Sequence, residues 1–299
     1  MICYTVLMMI LYTKLISSTD IEDSSEQQEK IAKGIPAEPG KYPYYVSIQW
    51  EVPFTGYMLG CGGALIARQF VLTAAHCLKS SQVRYHVLYA VDHTDRVLSN
   101  TLYFFSVDLV TGARILPNYR NTPFIHNNDL TFKIKSYMVH PGFNFTGPVN
   151  IKQDIAVILL DQPDPRPNAT IRLPITLNPL GQPVTLIGFG AMETGQFPDI
   201  LYSANLFTLT DQVCLASNQP GAYHPGFNLC TSNANGSVSC SGDSGGPLIW
   251  TENDISYIQG VVSASYPPCG SQHITNYASK QDNDWAKLDS TFSDQAKLN

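Results

Sequence analysis

The sequence predicts a globular protein built mainly from β-strands. Hydrophobic residues make up 44% of its 299 residues and charged residues only 14%, a balance that can bury a sizeable core. Short apolar runs recur along the chain, for example at residues 43–48, 70–73 and 184–190, and polar turn residues separate them. Runs of this length and spacing are typical of β structure.

The segment before Ile31 differs in composition from the rest of the chain. Residues 2–12 form an apolar run that is too short to span a bilayer but suits a signal-peptide core, so residues 1–18 are predicted to be a signal peptide. Residues 19–30 are acidic and nearly free of apolar side chains, so they cannot pack a core and indicate a propeptide. Residues 31–299 are therefore predicted to form the folded domain of a secreted, extracellular protein.

Within that domain the predicted elements fall into two groups. The first group has strands at 43–48, 62–66, 70–73, 133–135 and 155–160. A proline-rich connector at 163–179 follows. The second group has strands at 184–190, 205–209, 247–250 and 257–263, a short helix ending near Cys214 and a C-terminal helix at 284–288.

Charge and cysteine content exclude several classes of function. Net charge is −6, and half of it lies before Ile31, so the domain has no electrostatic basis for binding nucleic acid or an anionic membrane. Seven cysteines less Cys3, which leaves with the signal peptide, give the even number expected of disulfides in a secreted domain. Because neither C-x-x-C nor a histidine cluster occurs at ligand spacing, no metal is expected.

The most distinctive stretch is residues 240–247, where Ser244 lies between glycines and directly follows Asp243. Glycine permits backbone angles closed to other residues, so the N–H groups of Gly242 and Ser244 can point at one spot and bind a developing oxyanion. A lone G-x-S-x-G would favour a simple turn, but so many specified residues in a row indicate acyl-transfer chemistry.

A serine hydroxyl becomes a good nucleophile only when a positioned base takes its proton. Of the seven histidines, His76 alone has a distinctive setting, between small residues and Cys77. The base needs a buried acceptor in turn, and Asp154 fits because it opens the strongest apolar run between His76 and Ser244. His, Asp and Ser in this order, each in its own context, form a strong combined signal.

These contexts resemble the trypsin/chymotrypsin-type serine peptidases from residue 31 to the C-terminus. The resemblance implies a chymotrypsin-like all-β fold of two antiparallel six-stranded Greek-key β-barrels with a C-terminal helix, the barrels joining near residues 161–180. It makes Ser244 the nucleophile, His76 the general base and then acid, and Asp154 its orienting acid. Gly242 and Ser244 would form the oxyanion hole, and Ser263 would hydrogen-bond Asp154. No cofactor is needed.

The resemblance also implies how the protein is activated and cross-linked. Cleavage after Lys30 would free an Ile31 ammonium that buries against Asp243 and builds the oxyanion hole. Lys33 departs from the family pattern and places bulk and charge near this insertion point. The implied disulfides are Cys61–Cys77, Cys214–Cys230 and Cys240–Cys269.

By the same resemblance, Val238 lies at the base of the specificity pocket and Ser263, Ala264, Ser265 and Thr275 lie along its walls. A substrate cation against Val238 would be buried without a partner, so trypsin-like cleavage is not expected. The bulk of Ser265 and Thr275 favours a small or medium apolar residue before the scissile bond, with an aromatic residue as the alternative. Ala264 removes an aromatic platform for the substrate backbone.

Two further features lie outside the expected core. The interval from His76 to Asp154 is long for the family, and much of the excess falls at residues 94–128, which are predicted to form an irregular surface loop. This loop is either a plain insertion or one that restricts substrate access or docks a partner. Sequons predict glycosylation at Asn144, Asn168 and Asn235.

The predicted function is that of a secreted serine endopeptidase made as a zymogen. Its expected partners are protein or peptide substrates, an activating protease, and serpins or other protease inhibitors, and a monomer is expected. The alternative is a weak or inactive protease-like binding or decoy protein. Ala264, Lys33 and the long insertion favour the decoy, and the intact His76, Asp154 and Ser244 argue against it.

Overall fold

The structure is a computed structural model, and it describes residues 31, 34–38, 40–52, 56–78, 107–111, 131–145, 151–174, 180–198, 200–218, 220–232, 236–265 and 274–279. The predicted signal peptide, propeptide and C-terminal helix therefore lie outside the described residues, as do Lys30, Lys33, Asn235 and Cys269. Among the helices in the described ranges, none is long and apolar enough to cross a membrane.

The described residues are mainly β-strand. Before the connector the strands are β1 (Ile35–Pro36), β2 (Tyr45–Val52), β3 (Gly56–Ala67), β4 (Phe70–Thr73), β5 (Val107–Thr111), β6 (Thr131–Val139), β7 (Asn144–Phe145), β8 (Ile151–Lys152) and β9 (Ala156–Leu160). After it come β10 (Pro183–Gly188), β11 (Tyr202–Thr208), helix α1 (Asp211–Ser217), β12 (Asn228–Ser232), β13 (Pro247–Glu252), β14 (Ile255–Ala264) and β15 (Thr275–Ser279).

The first group of strands forms a closed antiparallel barrel. Its order is β2-β3-β4-β9-β6-β5, and β5 pairs back onto β2. Strand β9 lies between β4 and β6 and is almost entirely buried, as its unbroken apolar run predicts. The interior is filled by large side chains that are essentially inaccessible to water, among them Ile48, Leu65, Leu72 and Ile158.

The six strands after the connector, together with β1, form a seven-stranded antiparallel sheet in the order β1-β11-β10-β13-β14-β15-β12. An additional pairing of β11 with β12 brings the two ends of this sheet together, and β1 extends it at β11. Its own core contains Leu186, Leu206, Leu248 and Tyr277. A closed six-stranded barrel and a second, barrel-like sheet confirm the predicted chymotrypsin-like fold class, with β1 as a seventh strand of the second half.

Strand β5 corrects the prediction for residues 94–128. That segment was expected to be an irregular loop, yet residues Val107–Thr111 form a strand that pairs with both β2 and β6. Val107, Val110 and Thr111 are β-branched and suit a strand, but so short a run gains its stability only from neighbours distant in sequence. Prolines at 117 and 123 favour irregular structure by sequence, which is why a loop and not a strand is predicted for this segment.

The helix of the second half ends slightly later than predicted. Thr210 caps its N-terminus, where its hydroxyl accepts a hydrogen bond from Val213 N, and Asp211 places a negative charge in the first turn. The helix passes Cys214 and ends at Ser217, because Asn218 has extended backbone angles and its N–H donates to Cys214 O.

Candidate functional site

His76 lies in a single helical turn, Ala75–Leu78, that directly follows β4. Ala74 and Ala75 are fully buried, so only small side chains fit beneath the turn. A disulfide between Cys77 and Cys61 of β3 has an S–S distance of 2.04 Å and ties the turn to the barrel. The imidazole is therefore carried by backbone that is fixed at both ends.

Asp154 lies beside that turn, in the short connection between β8 and β9 rather than in a strand. Its side chain is fully buried, and its Oδ2 atom is 2.6 Å from Nδ1 of His76. The backbone N–H of His76 donates to Oδ1 at 2.8 Å, and the hydroxyl of Ser263 donates to Oδ2 at 2.7 Å. These bonds fix the ring of His76 with Nδ1 toward the carboxylate, which leaves Nε2 as the nitrogen available to a reacting group.

Two opposing effects act on His76. Burial lowers the pKa of its imidazole, whereas the charge of Asp154 and its hydrogen bond raise it, and the net result is a pKa above the ordinary value. The carboxylate thus stabilises the protonated imidazole.

The sulfurs of Cys61 and Cys77 also lie near the ring, at distances that would suit a metal. Because these two sulfurs are joined in a disulfide, they offer no thiolate ligands.

The loop that carries Ser244 packs directly against the first barrel. Gly62 N of β3 donates to Ser244 O at 2.7 Å. A Cβ added to Gly245 would lie 2.3 Å from Oγ1 of Thr73 and 2.5 Å from Gly62 O, so only glycine can approach β3 and β4 this closely. Since Thr73 immediately precedes the His76 turn, this packing brings Ser244 beside that turn.

The turn from Gly242 to Gly246 is the candidate oxyanion site. Gly242 and Gly245 have φ angles of 96° and 79°, which favour glycine. The N–H groups of Asp243, Gly245 and Gly246 donate to protein carbonyls. By contrast, within the described part of the chain the N–H groups of Gly242 and Ser244 donate to no protein acceptor. Two N–H donors that are separated by one residue, as in Gly242 and Ser244, can bind a single oxyanion.

Asp243 is fully buried on the other side of this turn. Its carboxylate accepts hydrogen bonds from Gly190 N at 2.7 Å and Cys240 N at 2.9 Å. A Cβ added to Gly188 would lie 2.0 Å from a carboxylate oxygen of Asp243, and one added to Gly190 would lie 2.2 Å from the other oxygen. The two glycines therefore form a cradle around the carboxylate that has no room for a side chain. Burial raises the pKa of Asp243 to about 6, although both N–H groups oppose that rise. No basic side chain among the described residues pairs with it.

Ile31 lies in the core of the same half of the molecule. Its side chain is fully buried in the cluster that contains Leu186 and Tyr277. Burial raises the pKa of the Tyr277 phenol, and the charge of Asp243 adds to that rise, so Asp243 acts electrostatically on the cluster that holds Ile31.

The residues predicted to form a pocket come together on adjacent segments. Val238 is buried, and the neighbouring Ser239 bonds to Thr275, with its N–H donating to Oγ1 at 3.1 Å and its hydroxyl at 3.2 Å. Strand β15 begins at Thr275 and pairs with β14, which ends at Ala264. Ala264 and Ser265 are partly exposed. The hydroxyl of Thr275 thus contacts the segment that contains Val238.

Several structural residues of the site were not predicted. A bulge in β14 between Val262 and Ala264 leaves Ser263 without a partner in β15 and frees its side chain for Asp154. The glycine cradle of Asp243 and the Gly62 contact were also missed. Paired glycines at the end of β10 and inside β3 were the available signals, because such glycines often mark close backbone approach.

The disulfides follow the implied pattern as far as the described residues extend. Cys214 and Cys230 are bonded with an S–S distance of 2.06 Å, which fixes α1 to β12. Cys240 is also disulfide-bonded. Its predicted partner, Cys269, lies outside the described residues. Of the predicted glycosylation sites, Asn144 and Asn168 are exposed.

A family model described as Trypsin matches residues 31–286. The chain belongs to the trypsin family. Kallikrein-8 of Rattus norvegicus is similar to this trypsin-family chain, with 27% identity over 82% of the chain and 79% of the relative. CLIP domain-containing serine protease B10 of Anopheles gambiae is 29% identical over 70% of the chain and 55% of the relative.

The fold of this trypsin-family chain also matches a solved structure. Neuropsin, described as a serine protease expressed in the limbic system of mouse brain, superposes with a TM-score of 0.65 at 22% identity, covering 86% of this chain and 99% of that one. Family membership supports serine endopeptidase activity, for which proteins are the substrates.

Proposed function

We propose that this protein is an active serine endopeptidase in which Ser244 is the nucleophile, His76 the general base and Asp154 the orienting acid. The observation that carries the proposal is the hydrogen-bonded arrangement of Asp154, which is buried, bonded to Nδ1 of His76 and supported by Ser263. A purely structural histidine does not need a fully buried carboxylate with every oxygen satisfied.

The proposed reaction gives each of these groups one role. Nε2 of His76 takes the proton from Oγ of Ser244 as Oγ attacks the scissile carbonyl carbon. The carbonyl oxygen becomes an oxyanion, which the N–H groups of Gly242 and Ser244 bind. His76 then gives its proton to the leaving amine, the C–N bond breaks and an acyl-enzyme remains. Water, deprotonated by His76, hydrolyses the ester and restores Ser244.

Activation by cleavage after Lys30 is part of the proposal. The new ammonium of Ile31 would pair with the Asp243 carboxylate. Asp243 supports this role because it is buried without a described cation, and burial raises its pKa to about 6. A partner charge would remove this desolvation cost and lock the turn at Gly242 in the conformation that binds the oxyanion. Activation then requires a second protease that cuts after lysine.

We propose secretion from a precursor with a signal peptide at 1–18, a propeptide at 19–30 and the peptidase domain at 31–299. The Cys61–Cys77 and Cys214–Cys230 disulfides and the disulfide-bonded Cys240 suit an oxidising compartment. Exposure of Asn144 and Asn168 is compatible with glycans at those positions. Serpins or other inhibitors that present a scissile loop would bind the same cleft.

The proposed substrate preference is a small or medium apolar residue before the scissile bond. Thr275 supports it, since its side chain is fully buried and bonds to Ser239, next to Val238, where it adds bulk beside the predicted pocket base. Val238 offers no charge to a basic residue, and an unpaired buried cation is costly. An aromatic residue is the alternative, and it would require a deeper pocket.

A peptide-library cleavage profile of the chain cleaved after Lys30 tests both the activity and the pocket. We expect cleavage after Ala, Val or Leu that is absent from a Ser244→Ala blank. Thr275→Gly should deepen the pocket and raise the ratio of Phe to Ala cleavage by about tenfold or more, since one or two carbon atoms are worth that much in an apolar pocket.

Thr231→Gly is the matched control for the pocket. Thr231 is the cross-strand partner of Thr275 and is equally buried, but it bonds to Tyr277 and not to Ser239. Cleavage after Arg or Lys would contradict the pocket assignment while keeping the mechanism. No cleavage by correctly disulfide-bonded protein with a free Ile31 terminus would favour a protease-like binding or decoy protein.

A further inference from the structure

Tyr45, the first residue of β2, connects the first barrel to the nucleophile loop. It is one of the largest fully buried side chains of the molecule. Its ring lies in the core cluster that continues from the first barrel into Ile187 and Phe189 of the second half. A buried tyrosine places a polar hydroxyl in the interior, which a phenylalanine would not.

One face of Tyr45 supports the Asp243 cradle. Its ring packs on that of Phe189, with centroids 5.6 Å apart and an interplanar angle of 55°. Phe189 is fully buried between Gly188 and Gly190, the two glycines that contact the Asp243 carboxylate. Movement of the Phe189 ring would therefore displace the backbone that donates to Asp243.

The hydroxyl of Tyr45 lies beside Gly62, which packs against the other end of the same turn. A Cβ added to Gly62 would lie 2.9 Å from Tyr45 Oη and 2.9 Å from Gly246 Cα, so hydroxyl, β3 and nucleophile loop meet at this point. Gly62 N is also the donor to Ser244 O, at 2.7 Å. A single side chain thus contacts elements that hold the residues before and after Ser244.

We propose that Tyr45 is a positioning residue for the nucleophile turn. Its ring fixes Phe189 and hence Asp243, and its hydroxyl fixes the separation of Gly62 from Gly246. Together these contacts set where Oγ of Ser244 and the N–H groups of Gly242 and Ser244 lie. The inference rests on the proposed role of Ser244. Small displacements of this hydroxyl and these N–H groups reduce turnover, because the rate of the chemical step depends steeply on geometry. Substrate binding elsewhere in the cleft does not change.

Tyr45→Phe tests the hydroxyl with little change in volume. We expect kcat on an amide substrate to fall about tenfold while KM stays unchanged, the pattern of an interaction that matters only in the transition state. Tyr44→Phe is the matched control. Tyr44 is the preceding residue and is also buried, but its hydroxyl bonds to Ser256, away from the nucleophile turn. The kcat of Tyr44→Phe should match that of the parent.

Rates are normalised by titrating active sites, so that misfolded molecules do not count. Phe189→Leu should lower the same kcat, and the combined variant should lose less than the product of the two effects, since both act along one packing path. Equal kcat for Tyr45→Phe and Tyr44→Phe in an active parent would overturn the inference alone. An inactive parent would overturn the proposed function and the inference together.

Discussion

At Asp154, a carboxylate removed from water is held by hydrogen bonds from His76 and Ser263. Burial on its own would lower the pKa of His76 and weaken its ability to carry a proton. The negative charge of Asp154 reverses that effect. A base whose cation is stabilised in place can take the proton of Ser244 and hold it until the amine leaves.

Asp154→Asn should test this balance, because it keeps the shape and removes the charge. We expect kcat to fall by about 10⁴-fold, since the amide favours the wrong imidazole tautomer. The basic form of His76 is the active one, so kcat/KM rises with pH through the His76 pKa. Without Asp154, burial dominates, the pKa falls, and this rise should move to lower pH. The pH profile of kcat/KM measures both effects.

Asp164→Asn provides the matched control. Asp164 is equally buried, but its carboxylate pairs with Arg166 in the connector at 2.6 Å. The Asp164→Asn variant should be less stable than the parent but should have the same kcat per titrated active site. An Asp154→Asn variant with parental kcat and an unshifted pH profile would contradict the assigned role of Asp154.

At the scale of elements, the nucleophile loop lies between two surfaces that exclude side chains. On one side Gly245 touches Thr73 and Gly62, and on the other Gly188 and Gly190 surround Asp243. Since neither surface can accept a Cβ, the loop has little freedom to move once both are in place. We therefore expect the charge state of the Asp243 carboxylate to affect the stability of the turn.

The uncleaved chain should lose stability as pH rises, because the folded-state pKa of Asp243 is raised to about 6. A raised carboxyl pKa means that the folded state binds the proton more tightly. This contribution is full below the unfolded pKa of about 4 and is lost as pH rises through about 6, on the order of 2 kcal/mol. Urea unfolding of Ser244→Ala chains at several pH values measures it, with Asp243→Asn as the non-titrating reference.

Cleavage after Lys30 should abolish this loss, because an Ile31 ammonium would stabilise the ionised carboxylate. The difference in unfolding free energy between the cleaved chain and its Asp243→Asn form should then no longer fall between pH 4 and 7. Identical pH dependence before and after cleavage would mean that the new terminus does not reach Asp243.

At the scale of the whole molecule, the site forms only where the two halves meet. Ser263 of β14 reaches Asp154 of the first half, and Gly62 of β3 holds Ser244 of the second. Neither half alone contains His76, Asp154 and Ser244. Correct docking of the halves, which the buried aromatic contact of Tyr45 with Phe189 helps to define, is a condition for activity.

The fold class and the three chemical contexts were predictable because their signals are local. Short apolar runs indicated strands, and the settings of His76, Asp154 and Ser244 each span only a few consecutive residues. The bulge at Ser263, the glycine cradle and the role of Tyr45 were not predictable, since each depends on which distant strands become neighbours. Strand β5 was missed for the same reason, because its partners β2 and β6 lie far away in sequence.

The most direct test of the proposed mechanism is labelling with an organophosphonate that reacts only with an activated serine. The chain cleaved after Lys30 should take up one equivalent, and peptide mapping should place it on Ser244. Ser244→Ala should take up none, and His76→Ala should react far more slowly, because the base would be absent. A correctly disulfide-bonded, cleaved chain that is not labelled, or is labelled at another serine, would contradict the account.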